Sequence, residues 1–277
     1  MKKTCAMSDI KVCVKSGGDI ASGVAWRLHH CGLKVLITEI NKPVAVRRKV
    51  SFCEAVYDGH TEVEGVEALL IQKAKDAYPV WDEGKIPVLV DPDCAARHSV
   101  KPEVIIDAIL AKRNRGTSLD DAPLVIALGP GFKAARDAHF VVETHRGHSL
   151  GRLLTTGSAE PNTGAPGPVL GFTTERVLRA PADGVWLNRL DIGHGVQKGD
   201  VVGSVAENPV KAAMDGVLRG MIRGGIHVQQ GLKIGDIDPR GINAYCSTIS
   251  EKALAIAGGV LEGILRFYGR GGQEKGF

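Results

Sequence analysis

Aromatic side chains are scarce in this chain, making up 5% of its 277 residues. No basic stripe with interleaved aromatics occurs, and the formal net charge of +4 is small and evenly spread. Both the electrostatic footprint and the stacking surface of a nucleic-acid binder are therefore missing. Long apolar runs are absent too, so no membrane-spanning helix is expected. The start, Met1-Lys2-Lys3-Thr4-Cys5-Ala6-Met7, carries charge but lacks the apolar run of a secretory signal. A cytoplasmic protein with neither nucleic-acid nor membrane partners is the expectation. Paired cysteines are the third absence. Cys5, Cys13, Cys31, Cys53, Cys94 and Cys246 include no C-x-x-C spacing, which leaves a disulfide framework or a structural zinc site without support. Most should be small core residues; Cys94, in a turn after a strand, is the candidate for a reactive thiol.

Glycine is plentiful at 35 residues, and with it come tight turns. The length suits two domains, each able to bury a core. Ile10-Lys11-Val12-Cys13-Val14 is a short apolar run ending in Ser16-Gly17-Gly18-Asp19. Ile20, Val24 and Leu28 then recur at helical spacing up to Gly32, and Lys34 to Glu39 forms a second, acid-tipped run. Strand, glycine turn, helix and strand make a βαβ unit with parallel pairing.

The turn partly matches the dinucleotide fingerprint G-x-G-x-x-G/A, with Ser16 at the first glycine position, Gly18 at the second and Ala21 at the third. Gly17 and Gly18 would let backbone approach a phosphate at the helix start, and Glu39 stands where a ribose hydroxyl would be held. Asp19 suits the helix dipole as a cap but would repel a pyrophosphate unless a cation intervened. Arg47, Arg48 and Lys49 could clamp phosphates or form an exposed helix end. Val50 to Tyr57 has the composition of a strand, and Thr61 to Tyr78 has the spacing of a helix.

Four further apolar runs, Ile86 to Asp91, Val104 to Ile109, Leu124 to Leu128 and Phe140 to Thr144, read as strands buried on both faces. An open, mainly parallel sheet follows. Ligands bind such sheets outside the carboxyl ends of the strands. That rule gathers Gly17, Gly18, Asp19, Glu39, Asp91, Gly129 to Gly131, and Thr144-His145-Arg146-Gly147-His148-Ser149-Leu150-Gly151-Arg152 on one rim. The last stretch has the composition of a loop offering cationic donors to an anion, and equally of a solvated basic connection between two halves.

Gly157 to Pro168 is punctuated by Gly and Pro, the mark of a domain boundary or an ordered loop. Beyond it lies a repeat: Ala182-Asp183-Gly184-Val185 aligns with Met214-Asp215-Gly216-Val217, Val196 with Val228, and Val202-Gly203 with Ile234-Gly235, each 32 positions apart. Two such β units would bury their apolar faces against each other. Ala180-Pro181-Ala182-Asp183-Gly184 and Val196-Gln197-Lys198-Gly199-Asp200-Val201-Val202-Gly203 resemble the biotinyl/lipoyl-like barrel-sandwich hybrid. Carriers of that type show their modified lysine at a hairpin tip between the halves. Here Ala206-Glu207-Asn208-Pro209-Val210 contains no lysine and Lys211 follows it, so no biotin or lipoate attachment is expected and the module reads as a scaffold or dock. Ser250 to Phe267 has helical spacing and should pack back on the body of the protein.

Four segments resemble one family along nearly the whole chain: Gly17-Gly18-Asp19-Ile20-Ala21-Ser22-Gly23 with Thr38-Glu39; Val46-Arg47-Arg48; Ala111-Lys112-Arg113-Asn114 with Gly129-Pro130-Gly131-Phe132; and Glu143 to His148 continuing to Gly151-Arg152 and Asn162-Thr163-Gly164. The family is the YqeB-type accessory protein of selenium-dependent molybdenum hydroxylase systems, whose first half looks like a relative of the Rossmann domain in xanthine dehydrogenase maturation chaperones. The resemblance implies a maturation factor that handles molybdenum cofactor (molybdopterin), or a nucleotide, ahead of insertion into a molybdenum hydroxylase client. The expected fold is a Rossmann-like α/β domain over 1–156, a linker over 157–176, a barrel-sandwich β domain over 177–240 and a C-terminal helix within 241–277. The expected ligand contacts are Gly17, Gly18, Asp19, Glu39, Gly129, Gly131, Arg146, His148 and Arg152, with no metal site. No catalytic residue is assigned and self-association is left open. An NAD(P)-dependent oxidoreductase using Glu39 and His145 or His148, and a non-enzymatic docking protein, stand as alternatives.

Overall fold

The computed structural model of the chain describes residues 7–164 and 167–269. The charged start with Cys5, positions 165 and 166 of the Gly/Pro stretch, and 270–277 of the C-terminal segment lie outside the described residues. Strand β1 (Lys11–Lys15) runs into the Ser16-Gly17-Gly18 turn, α1 (Asp19–His30) follows, and β2 (Lys34–Glu39) returns parallel to β1. Next come α2 (Ala55–Asp58), β3 (His60–Val63), β4 (Val66–Ile71), α3 (Ala77–Asp82), β5 (Ile86–Val90), α4 (Arg97–Val100), β6 (Val104–Asp107) and β7 (Leu124–Leu128). The short β8 (Lys133–Ala134), β9 (Phe140–Val142), β10 (Leu153–Leu154) and β11 (Gly157–Ser158) close the series.

The principal sheet has the order β10-β9-β7-β6-β1-β2-β5-β4-β3. All its pairings are parallel except those of the edge strands β10 and β3. The chain leaves β1 toward β2 on one side and comes back to β6 on the other, which makes the carboxyl ends of β1 and β6 the switch point of the topology. Register sorts the side chains by face. Cys13, Lys15, Leu36, Thr38, Ile105 and Asp107 share one face, because Cys13 pairs with Leu36 and Ile105 while Lys15 pairs with Thr38 and Asp107. Leu36, Trp81, Leu89 and Ile105 form the apolar layer there, together with residues of α3 and α4.

The other face is covered by α1 and by the last helix, α5 (Glu251–Gly269), which cross closely. A β-carbon on Gly23 of α1 would sit 2.7 Å from the Ala253 β-carbon, so only hydrogen at that position lets the helices approach so near. α5 thus packs within the first unit, while residues 241–248 of the expected C-terminal segment belong to the second.

Two expected elements differ. The helix over Thr61 to Tyr78 is instead the β3–β4 hairpin followed by α3. Glu64 and Gly65 take φ values of 44° and 79°, a two-residue turn of the type that suits hairpins, and Val63 pairs with Val66 across it. The strand over Val50 to Tyr57 is helical from Phe52 on. Phe52 donates its N–H to Ser22 Oγ at 2.8 Å and Cys53 donates to the Gly17 carbonyl at 3.0 Å, so this backbone finds its partners in the first turn and α1 rather than in a strand ladder.

The chain divides into two compact units that are not contiguous in sequence: residues 1–43, 52–162 and 249–277 in one, 44–51 and 163–248 in the other. The expected limit at 156 left 44–51 with the first half, whereas the second unit claims them. There Val46 accepts the Met221 N–H at 2.6 Å, and Arg47 Nη2 donates to the Tyr245 and Thr248 carbonyls at 2.7 and 2.9 Å.

The second unit contains β12 (Val177–Arg179), β13 (Gly184–Asn188), β14 (Gly195–Val196), β15 (Val201–Val205), β16 (Asn208–Lys211), β17 (Gly216–Met221), β18 (His227–Val228) and β19 (Lys233–Asp238). They form two antiparallel sheets, β12-β19-β17-β14 and β16-β15-β13-β18, around a core with Trp186, Val202, Leu218, Ile222 and Ile234. The 32-residue repeat maps one sheet onto the other, with β13, β14 and β15 answering to β17, β18 and β19. Each sheet takes two strands from the opposite repeat, β18 and β16 beside β13 and β15, and β14 and β12 beside β17 and β19. The repeated aspartates clasp the halves reciprocally: Asp183 Oδ1 accepts the Gln230 N–H at 2.6 Å and Asp215 Oδ1 accepts the Lys198 N–H at 2.7 Å.

Candidate functional site

The turn after β1 is held from several sides. Gly17 N–H and Ser16 Oγ donate to Glu39 Oε2 at 2.7 and 3.3 Å, and Ile40 N–H donates to Oε1 at 2.8 Å. Ser22 Oγ donates to the Gly17 carbonyl at 2.9 Å. A β-carbon on Gly17 would meet the Cys53 backbone nitrogen at 2.8 Å, which is the physical reason for glycine there. Ser16, at φ 87°, takes the left-handed conformation where the fingerprint has glycine. Gly18 is the N-cap of α1 and gives it no side-chain cap. Glu39, the residue expected on a ribose, anchors the glycine turn through Oε2 and accepts the N–H of its own successor, Ile40, on Oε1.

Beneath the same strand ends, on the opposite face, lies a buried polar cluster that sequence reasoning did not single out. Lys15 Nζ donates to Thr117 Oγ1 at 2.7 Å and stands 3.4 Å from Asp107 Oδ2; Thr117 Oγ1 in turn donates to Asp107 Oδ2 at 2.5 Å. The signal was available, since Lys15 and Asp107 are the last residues of two buried strands, where a charged side chain reaches the carboxyl edge. Thr117 belongs to a loop folded by its own Asn114, whose Oδ1 accepts the N–H groups of Gly116 and Thr117 at 2.9 and 2.8 Å.

The His/Arg stretch is a hairpin loop within the first unit, joining β9 to antiparallel β10. Glu143 N–H bonds the Arg152 carbonyl at 3.0 Å and Gly151 N–H bonds the Glu143 carbonyl at 2.9 Å. Buried Glu143 organises the loop: Oε1 accepts the His145 N–H at 2.6 Å and Oε2 the Glu160 N–H at 2.7 Å. Gly151, at φ 80°, lies so near Ala255 of α5 that a β-carbon would overlap the Ala255 carbonyl, 2.8 Å from its carbon. Arg146 pairs with Glu251 in the first turn of α5. His145 Nε2 is 3.9 Å from Glu160. His148 and Arg152 are exposed.

One residue ties the loop to the α1 start. Lys252, partly buried beside Glu251, has its pKa lowered first by burial and then by the neighbouring Arg146 charge, against the attraction of Asp19, Glu143 and Glu251. The Lys252 ammonium thus feels the charges of Asp19 and Glu143 as attraction and that of Arg146 as repulsion. A cation in that position offsets part of the repulsion that the Asp19 carboxylate would exert on an anion at the helix start. The sequence carried no pointer to Lys252, more than two hundred residues from Asp19.

The other predicted contacts fall at neighbouring turns. Gly129, at φ 76°, leaves no room for a β-carbon against Thr144, and Gly131, at φ 103°, would place one 2.6 Å from the Arg113 backbone. By contrast, Arg48 is engaged inside the second unit, its Nε donating to the Met221 carbonyl at 2.7 Å and its Nη2 bonding Asp191 at 2.5 Å. In that unit the hairpin tip between β15 and β16 is Ala206-Glu207, both at positive φ, and Lys211 lies at the far end of β16. Among the described residues no three His, Cys, Asp or Glu side chains come together as a metal-binding group, and no helix is long and apolar enough to cross a membrane.

These features define a mixed α/β protein with a large, mostly parallel sheet, further antiparallel sheets and a C-terminal helix. No protein-family model matches the chain. It is 48% identical over 260 residues to the uncharacterized protein YqeB of Escherichia coli (strain K12), an alignment covering 94% of this chain and 48% of that protein. The chain spans about half the length of that curated relative, and the likeness supports a YqeB-type relationship. Among solved structures, TcdA (CsdL) aligns with 94% of this chain and 88% of its own at 14% identity and a TM-score of 0.32. The product-bound ectoine utilization protein EutE (DoeB) of Ruegeria pomeroyi aligns with 82% of this chain and 56% of its own, at 14% identity and a TM-score of 0.24. An aspartoacylase family protein of Mesorhizobium loti aligns with 23% of each chain, at 19% identity and a TM-score of 0.22. Likenesses this low carry no argument.

Proposed function

We propose that this chain is a cytoplasmic maturation factor for a molybdenum hydroxylase, and that the strand-end rim of its first unit binds a phosphate-bearing cofactor of molybdopterin type or a nucleotide. The observation that carries the reading is the α1 start, which follows Gly17 and Gly18 at the carboxyl end of β1 and has no side-chain cap, with the Lys252 ammonium within electrostatic reach of Asp19. Helix N-termini with free N–H groups attract phosphate, and Lys252 offsets the repulsion that Asp19 alone would impose. Gly17, Gly18 and the first turn of α1 would hold one phosphate. Arg146, released from Glu251, would join His148 and Arg152 as charge-assisted donors to another. The donor set fits such a ligand: backbone N–H groups and cations, next to glycines that leave the backbone bare.

The segments quoted for the family resemblance support the reading by their positions, since three of the four fall on the turns after β1, after β7 and after β9. The second unit would be a barrel-sandwich module that docks the hydroxylase client, and two copies of the chain could assemble. The nicotinamide alternative asks a ribose hydroxyl to share Glu39 with the Gly17 and Ile40 N–H groups, a demand that a molybdopterin-type ligand does not make.

Calorimetric titration with molybdenum cofactor tests the proposal. Replacing Arg146 and Arg152 together by alanine should weaken binding roughly tenfold or more, the loss of two hydrogen bonds to a charged group. Equal affinity of wild type and variant would remove the loop from the site. Thermal stabilisation by NAD or NADP without any response to molybdenum cofactor would overturn the reading in favour of the oxidoreductase.

A further inference from the structure

On the lower face of the principal sheet two thiols that are 81 residues apart in sequence meet. Cys13 Sγ, in the middle of β1, is 3.2 Å from Cys94 Sγ, in the turn after β5. Both are nearly inaccessible, at 1% and 2% exposure. The Cys94 turn is built to hold that position. Asp91 accepts the Ala95 and Ala96 N–H groups on its two oxygens at 2.9 and 2.8 Å. Cys94 itself takes a left-handed φ of 54°, a conformation that costs a β-carbon-bearing residue energy and persists only where the surroundings enforce it. Register places Lys15 and Thr38 on the same sheet face as Cys13. The hydrogen bond to Cys13 is the main cause that lowers the Cys94 thiol below its ordinary value, with Thr38 and the Lys15 ammonium helping against burial and Asp91; the Cys13 thiol is pushed up by its bond to Cys94 and by burial.

We propose that Cys13 and Cys94 form a redox-active dithiol that a small hydroperoxide converts to a disulfide. The sulfurs need to close by only about 1 Å to reach bonding distance. Cys94 is the more readily ionised of the two thiols, the division of labour such a step requires. Cys94 thiolate attacks the terminal peroxide oxygen, the O–O bond breaks, and the departing oxyanion takes a proton to leave as water or alcohol. Cys13 sulfur then attacks the Cys94 sulfenic sulfur, the S–S bond forms, and the sulfenic oxygen leaves as water with the Cys13 proton. Two electrons pass from the thiol pair to the peroxide. Burial selects small, neutral oxidants over bulky disulfides. This inference stands apart from the cofactor reading and survives its failure.

The test uses the full-length, reduced wild type, treated with hydrogen peroxide, alkylated under denaturing conditions and digested with trypsin without reductant. The expected product is the peptide Val12–Lys15 joined through sulfur to Ile86–Arg97, restored to separate peptides by dithiothreitol, with the thermal transition of the oxidised protein still cooperative. In Cys13→Ser the link should vanish and Cys94 should progress to sulfinic acid. Recovery of both cysteines alkylated while exposed Cys31 is oxidised, or a cross-link that forms only in unfolded protein, would overturn the proposal; the wild-type map decides even where the variant does not fold.

Discussion

Asp238, at the end of β19, shows how one side chain ties the second unit to pH. It is fully buried, accepts Arg240 Nη2 and Nε at 2.6 and 2.9 Å and the Arg240 N–H at 3.1 Å, and stands 3.4 Å from Arg219 Nη1. Burial opposes its ionisation, but the Arg240 bonds and the Arg219 charge prevail and hold the carboxyl below its ordinary range. The folded value is thus lower than the unfolded one, so the unfolded chain binds the proton first as pH falls. The stabilisation is complete above the unfolded value, about 3.9, and fades as pH drops through the folded value. Asp238→Asn should cost roughly 3–5 kcal/mol at neutral pH by leaving two guanidinium groups short of a countercharge, and should flatten the acid limb of stability; urea melts at several pH values would show both. At this scale the sequence was informative where a residue's role is local. Gly17, Gly18, Gly129 and Gly131 were readable because turn geometry is written in adjacent residues. The role of Glu39 as an anchor of the turn, and the charge interaction of Lys252 with Asp19, depend on tertiary packing that local pattern does not carry.

At the scale of elements, α5 offers a controlled comparison. Gly258 and Gly259 are neighbours, yet a β-carbon on Gly258 meets nothing within 4 Å, whereas one on Gly259 would overlap the Gly151 carbonyl and lie 2.9 Å from Val142. Gly258→Ala should stabilise the protein by about 0.5–1 kcal/mol through helix propensity. Gly259→Ala should destabilise it by about 1–3 kcal/mol by forcing the helix off the hairpin loop; chemical denaturation of the pair measures the contrast. The buried strands were legible because both their faces are apolar, and α1 and α5 because their apolar stripes are long. The β3–β4 hairpin was hidden because Val66, Leu69, Leu70 and Ala74 mimic helical spacing, while the deciding signal was the Glu64-Gly65 turn. Pairing of β13 with β18 and of β17 with β14, between repeats, could not be read from the 32-residue period alone.

At the scale of the molecule, the chain passes from one compact unit to the other four times, at 43/44, 51/52, 162/163 and 248/249. No single cut separates them into whole pieces. A fragment ending at residue 162 keeps every strand of the principal sheet but loses α5, and should show no cooperative thermal transition by circular dichroism, although the strand content is encoded in full. Adding a separate peptide of residues 249–277 should restore a transition in proportion to its concentration. The late position of α5 also bears on synthesis. About a hundred residues separate the last sheet strand from this helix, so at roughly 5–20 residues per second the emerging sheet waits on the order of 5–20 s with one apolar face covered by α1 alone. In that interval the nascent chain is a substrate for ribosome-associated chaperones, and its yield in the cell should depend on them more than its final stability would indicate.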